Sequence, residues 1–401
     1  MINRNPLQCL SCDAKIVTRT QIGHKDVQSH SFSCPRCGVE ISFTLDLDQK
    51  NAGLKYREPN NAKWVDSEGG AIAALMFSDE IPVPSSGEGF SPFIATAHNF
   101  KDREEYGRKE GLRQRFCKVD FGYIERCVVH FERGDWEMVD KQSPPNHDRE
   151  ATPRGRLISL ANALQAGFSL FTLNPRSAHN RVQQRIKFAS SKSPGLVTDL
   201  ADLYVSTGRM LKLWKELASV RRLFVNSYPA LQPIVQIAYW EEELQDLSAL
   251  AMGVKAFDQL RQLYIDTFET LCRLLVIGVG FEVIIAHGSL EIPMKKRNIS
   301  LEEFEGFANA NKREVIERFP IADLFVPLLD TELRNGIGHQ SAHYEQATDE
   351  VLLYDTKDSG TVGRKIGYTD FCDRVLKLFA GFELAAMNHH SLHLHADGRL
   401  S

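Results

Sequence analysis

The sequence predicts a multidomain chain with a small cysteine-framed β unit, an α/β middle region and a mainly α-helical C-terminal half. Three observations carry this reading. Four of the eight Cys lie within the first 37 residues as two Cys-x2-Cys pairs. Glu40–Asp48 is apolar at each odd position from 41 to 47, the period of a half-buried strand. Leu260, Leu263, Tyr264, Phe268, Leu271, Leu274 and Leu275 recur at spacings of three and four, the apolar face of a long helix. At 401 residues the chain also exceeds what one hydrophobic core usually organises.

Composition excludes several classes. With 43% hydrophobic and 25% charged residues the chain is neither collagen-like nor wholly disordered. A formal charge of -4 makes it no polycation overall, and an average leaves local fields undecided. The longest apolar run, residues 274–281, falls short of the roughly 20 residues of a membrane span. The first nine residues lack the apolar core of a secretory signal. The remaining cysteines, Cys117, Cys127, Cys272 and Cys372, are scattered among apolar neighbours rather than set in a disulfide framework. A reduced, cytoplasmic protein with no membrane partner is expected.

The pairs Cys9-x2-Cys12 and Cys34-x2-Cys37 can each place two thiolates on one turn, and the loop between them lets the turns face each other. Gly38 permits the backbone of a metal knuckle. Residues 1–48 are therefore predicted to form a zinc ribbon whose four-Cys site is closed, so that Zn2+ is structural. Arg19, His24, Lys25 and Arg36 surround it, and nucleic-acid contact, protein docking and simple anchoring of the terminus all remain open.

Residues 49–141 mix short apolar runs, 71–77 and 127–131, with turn-rich pieces, and read as an α/β region of unknown role. Residues 142–155 concentrate Pro, Gly and charge and read as a linker. A helical region follows over 156–249, then a helical domain over 250–390 and a tail at 391–401. Ser300-Leu301-Glu302-Glu303 has the form of a capping box at a helix start. Leu376, Phe379 and Leu384 mark a last helix, preceded by a small hairpin around 351–360. The histidines from 389 to 395 are expected in a frayed end.

Two segments bear on chemistry. From 175 to 198 the chain carries Arg176, Arg181, Arg185, Lys187 and Lys192 without one acidic residue. This is either a surface that tracks RNA or DNA phosphates or a solvated helix face balanced by Glu241-Glu242-Glu243. The second is Leu328-Leu329-Asp330-Thr331-Glu332-Leu333-Arg334-Asn335-Gly336-Ile337-Gly338-His339. Bare Arg-x4-His spacing says little, since Arg19 and His24 match it too. Here the Arg is followed by a polar Asn, preceded by an apolar helical run, and followed by Tyr344, a hairpin and a terminal helix.

In that setting the segment resembles the HEPN family, the higher eukaryotes and prokaryotes nucleotide-binding domains, whose ribonuclease members carry Arg, a polar residue and then His. The resemblance covers roughly residues 250–390 and implies a helical bundle with Arg334, Asn335 and His339 at the active-site positions. It implies an endoribonuclease that leaves 2′,3′-cyclic phosphate ends, acts as a toxin or antiviral-defence effector, and pairs as a homodimer across this element. An antitoxin or defence-system protein is then an expected partner.

The residue types suit that chemistry. RNA carries its own nucleophile in the 2′-hydroxyl, His339 has an ordinary pKa suited to acid and base work near neutrality, and Arg334 offers a permanent planar fork to phosphate oxygens. Positions five apart lie about 140° around a helix, so the helix is expected to end at Gly336 or Gly338. The same glycines leave room for a partner backbone. Glu269, Tyr264 and Glu332 are auxiliary polar candidates. The alternative function is a non-catalytic HEPN-like binding or assembly protein with a zinc-ribbon adaptor.

Overall fold

The computed structural model describes residues 2–22, 26–48, 53–78, 83–84, 103–142, 152–172, 176–237, 250–252, 256–338, 341–345, 348–354 and 361–396. In chain order the elements begin with strands β1 (Ile2–Cys9), β2 (Lys15–Gln21), β3 (Val27–Ser33), β4 (Glu40–Asp48), β5 (Gly53–Tyr56), β6 (Ala62–Trp64), β7 (Ala71–Phe77) and β8 (Val83–Pro84). Helices α1 (Arg103–Arg115), α2 (Phe121–Glu132), α3 (Trp136–Gln142), α4 (Pro153–Ser169), α5 (Arg176–Lys192), α6 (Pro194–Ser206) and α7 (Arg209–Ile237) follow. After β9 (Leu250–Ala251) come α8 (Phe257–His287), β10 (Ile292–Pro293), β11 (Asn298–Ile299), α9 (Leu301–Glu305), α10 (Asn309–Ile316), α11 (Ala322–Phe325) and α12 (Thr331–Gly338). The chain closes with β12 (Ala342–Glu345), β13 (Glu350–Tyr354), β14 (Val362–Gly367) and α13 (Tyr368–His395). These elements divide between two units: Met1–Gly107 with Ser227–Arg261 and Gly336–Leu376, and Arg108–Asn226 with Gln262–Asn335 and Lys377–Ser401.

In the first unit, β6-β1-β2-β7 form one sheet and β3-β4-β5 a second. The alternation seen in the sequence orients β4: Ile41, Phe43 and Leu45 are buried, while Leu47 is half-buried. Their core includes Leu7, Ile16, Phe32 and Phe77, with the Phe77 and Trp64 rings 5.3 and 5.7 Å from that of Phe43. Ala62, Trp64 and Phe77 therefore belong to the same β core as the cysteine framework, which extends beyond residue 48, because Phe43 needs covering by β6 and β7. A three-stranded antiparallel meander, β12-β13-β14, stands where a hairpin was expected. The Tyr368 hydroxyl there accepts from the Ala256 N–H at 2.8 Å.

The second unit is helical. The apolar face read from Leu263 to Leu275 is buried throughout. Residues 127–131 lie in α2, not in a strand; a short apolar run cannot distinguish the two by periodicity alone. Pro153 opens α4 instead of continuing a linker, with the Thr152 hydroxyl accepting from the Gly155 N–H at 3.0 Å. Ser300 caps α9 by accepting from the Glu303 N–H at 3.1 Å, and the Glu303 carboxylate pairs with Arg297. Gly167 admits the Phe116 ring so closely that a Cβ there would lie 2.0 Å from it.

The C-terminal histidines depart most from expectation. Their segment is the last two turns of α13, and His389 and His393 are fully buried. The Trp214 ring stacks on His389 at 5.7 Å, and the Phe131 ring meets His393 edge-on at 5.6 Å. The i, i+4 spacing of His389 and His393 puts both on the face that carries Ala385 and Leu392 into the core.

Candidate active site and metal centre

The two cysteine pairs converge. Their four sulfurs lie within 4.8 Å of one another, with Cys9 and Cys37 at 3.8 Å and Cys12 and Cys34 at 3.6 Å. A tetrahedron with metal–sulfur bonds of about 2.3 Å has edges of about 3.8 Å, so the set fits a tetrathiolate metal site. Both turns share one construction. The Cys9 N–H donates to Ala14 O and the Asp13 N–H to Cys9 O, while the Cys34 N–H donates to Val39 O and the Gly38 N–H to Cys34 O. The residue after each pair takes positive φ, 76° at Gly38 and 58° at Asp13. Only Gly38 was anticipated; Asp is among the few other residues that tolerate this region.

The electrostatics agree with a cation here. Burial opposes ionisation of Cys34, yet the Cys37 and Arg36 N–H groups and the neighbouring thiols bring it down to about 7. Cys12 accepts from the Ala14 N–H, but burial and the Cys37, Cys34 and Cys9 thiols push it up to about 12. Four thiolates so close cannot all ionise without a positive charge among them.

Arg334 and Asn335 sit on α12. Asp330 starts this helix by accepting from the Leu333 N–H at 3.0 Å. Leu333 and Ile337 are buried while Asn335 is exposed. The helix runs through Gly336 to Gly338, so Gly336 does not end it. A Cβ on Gly336 would lie 3.0 Å from Leu353 Cδ2. The close approach it permits within the chain is thus to β13. The Ser341 N–H and hydroxyl both close on Gly336 O, at 3.0 and 2.9 Å. His339 lies outside the described residues.

Arg334 is held by α8. Its Nε and Nη2 donate to Glu269 Oε1 at 2.7 and 2.5 Å, and its Nη1 donates to Asn335 Oδ1 at 3.2 Å. The Asn309 amide also donates to Glu269 Oε1 at 3.2 Å. Glu269 therefore organises Arg334, whereas Tyr264 is buried in the apolar face of α8. Glu332 is exposed. Lys312, one turn beyond Asn309, is buried, and burial holds its ammonium below the usual lysine range while Cys272, Glu305 and Glu269 pull the other way. Sequence reading missed Asn309 and Lys312. The signal for Lys312 was its place three and four residues before Val315 and Ile316, on the apolar face of α10.

The basic residues of the acid-free segment lie on α5, and three of the five find partners elsewhere in the helical unit. Arg185 pairs with the buried Glu282, and Arg181 with Asp323 at 2.8 Å. The Lys192 ammonium donates to Ile285 O at 2.5 Å. Arg176 and Lys187 remain exposed without an ion pair among the described residues. Glu241, Glu242 and Glu243, expected to balance the segment, lie outside the described residues, as do His24 and Lys25 beside the cysteine framework. No described helix is long and apolar enough to cross a membrane. No family model, curated protein or solved structure matches this chain.

Proposed function

We propose that the protein is a metal-independent endoribonuclease of HEPN type, with a structural zinc ion on Cys9, Cys12, Cys34 and Cys37. The observation that carries the reading is an Arg334 fixed by Glu269 and Asn335 on a short helix whose next residue after Gly338 is His339. Three of the five guanidinium N–H donors are engaged in that clamp, which leaves two for the oxygens of a phosphodiester. His339 takes the 2′-hydroxyl proton as that oxygen attacks phosphorus. The bond to the 5′-oxygen breaks, the 5′-oxygen gains a proton, and the products are a 2′,3′-cyclic phosphate and a 5′-hydroxyl. Asn335 holds the guanidinium in register, and exposed Arg176 and Lys187 are cations free to meet RNA phosphates.

A homodimer in the cytoplasm, acting as toxin or antiviral effector with a neutralising or defence partner, belongs to the same proposal. Its test is induction of the wild type beside His339→Ala and Arg334→Ala in cells, with total RNA inspected. Wild type should degrade RNA and arrest growth, and each variant should reduce cleavage by roughly 100- to 10,000-fold. The second reading, a non-catalytic binding or assembly protein, is favoured by the full carboxylate partner on Arg334. It is supported if wild-type and variant cells keep intact RNA alike while the protein accumulates folded.

A further inference from the structure

Lys312 carries a charge that the helical unit buries without satisfying. It is 6% exposed, and among the described residues it makes no hydrogen bond and no ion pair. Taking an ammonium out of water without compensation costs stability, so a buried lysine of this kind points to a use. Residues near it in the chain place it. Asn309 donates to Glu269 Oε1 at 3.2 Å, and Arg313, the next residue after Lys312, donates to Leu329 O at 3.4 Å just before α12. The helix that carries Lys312, α10, is thereby tied to α8 and to the entry of α12, the two elements that build the Arg334 site.

The Lys312 ammonium faces Cys272, Arg273 and Glu269 from α8 and Glu305 from α9. Glu305 is already paired with Arg209 at 3.1 Å, and Arg273 with Glu216 at 2.8 Å. Burial pushes the Cys272 thiol up to about 12, so it stays neutral. That leaves Glu269. Its Oε1 takes the bonds from Arg334 Nε and Nη2 and from the Asn309 amide, while its Oε2 takes none among the described residues. One carboxylate against one guanidinium would cancel, and a phosphodiester would gain little from a neutral pair. A second cation acting on the same carboxylate leaves the three groups with a net positive charge.

We propose that Lys312 is a positioning residue of this site, which shares the charge of Glu269 with Arg334 and so leaves the guanidinium free to hold a phosphodiester. The inference rests on the phosphate site of the proposed nuclease and not on its cleavage step. It is tested by fluorescence anisotropy of the full zinc-loaded chain with a labelled 2′-O-methyl RNA of about ten residues, which lacks the attacking hydroxyl. Lys312→Met should weaken binding about five- to fiftyfold, and Arg334→Ala at least as much. In a Glu269→Gln background the same Lys312→Met change should alter binding by less than about twofold, because no carboxylate remains to be shared. Lys312→Met should also raise the thermal midpoint by about 2–5 °C, since methionine fills the space without a buried charge.

The proposal is overturned if Lys312→Met binds like wild type, or weakens binding equally with and without the Glu269 carboxylate. A Lys312→Met protein that fails to fold, or melts below wild type, makes the lysine structural and overturns it as well. Wild type that does not bind the oligonucleotide overturns it together with the nuclease reading. Wild type that binds in the Lys312-dependent manner yet leaves ordinary RNA intact overturns the nuclease reading alone.

Discussion

Acidification should destabilise the helical unit through its three buried histidines. Burial drives His389 down to about 3, with the His393 and Arg221 charges adding to the effect. Burial brings His393 to about 4 and holds His390 well below its ordinary 6.5. The folded unit keeps these rings neutral while the unfolded chain protonates them at about 6.5. Below pH 6.5 the unfolded state therefore binds more protons, and stability falls until the folded pKa values are reached. Between pH 7.5 and 5.0 each such histidine costs about 2 kcal/mol, hence about 4 kcal/mol for His389 and His393, with His390 adding in the same direction. The assay is denaturant unfolding across that range, read by tryptophan fluorescence, for wild type and His393→Phe. The ring nitrogens of His393 have no hydrogen-bond partner among the described residues, so phenylalanine replaces the ring without orphaning a donor. The variant should lose about 2 kcal/mol less than wild type on acidification. Equal losses in the two proteins, or an NMR titration of His393 near 6.5, would refute the reasoning.

Three further outcomes are expected. Chelation of the metal, or Cys34→Ser, should unfold the cysteine-framed sheets, since a tetrathiolate zinc contributes on the order of 10 kcal/mol, and Trp64 fluorescence should report the loss. Gly167→Ala should destabilise the helical unit by about 1–3 kcal/mol in thermal unfolding, because the new methyl must displace the buried Phe116 ring. Glu269→Gln removes the charge that fixes Arg334; it should lower RNA cleavage while leaving the fold intact by circular dichroism, with Glu269→Asp recovering part of the rate.

Local chemistry was the legible part of the sequence. The Cys-x2-Cys pairs, the Ser300 cap, the β4 alternation and the α8 stripe each depend on neighbours in the chain, and each appears in the fold where it was read. Features set by distant partners were not. The basic run of α5 left a phosphate-tracking surface and a balanced helix face both open, because Asp323 and Glu282 lie far away in sequence. The boundary at residue 48 fell too early, since the residues that cover Phe43 come from β6 and β7. Gly336 offered room, and no local pattern said that Leu353 would fill it. His389 and His393 resembled a polar end until their four-residue spacing was set against the apolar residues between and before them.

The central claim is that Arg334 and His339 cleave RNA. Its most direct measurement is incubation of purified, zinc-loaded wild type, His339→Ala and Arg334→Ala with an end-labelled RNA in buffer without added divalent cations, with fragment ends assigned by mass. The account predicts fragments ending in a 2′,3′-cyclic phosphate and beginning with a 5′-hydroxyl from wild type alone. Equal cleavage by all three proteins, or 5′-phosphate ends, would contradict it.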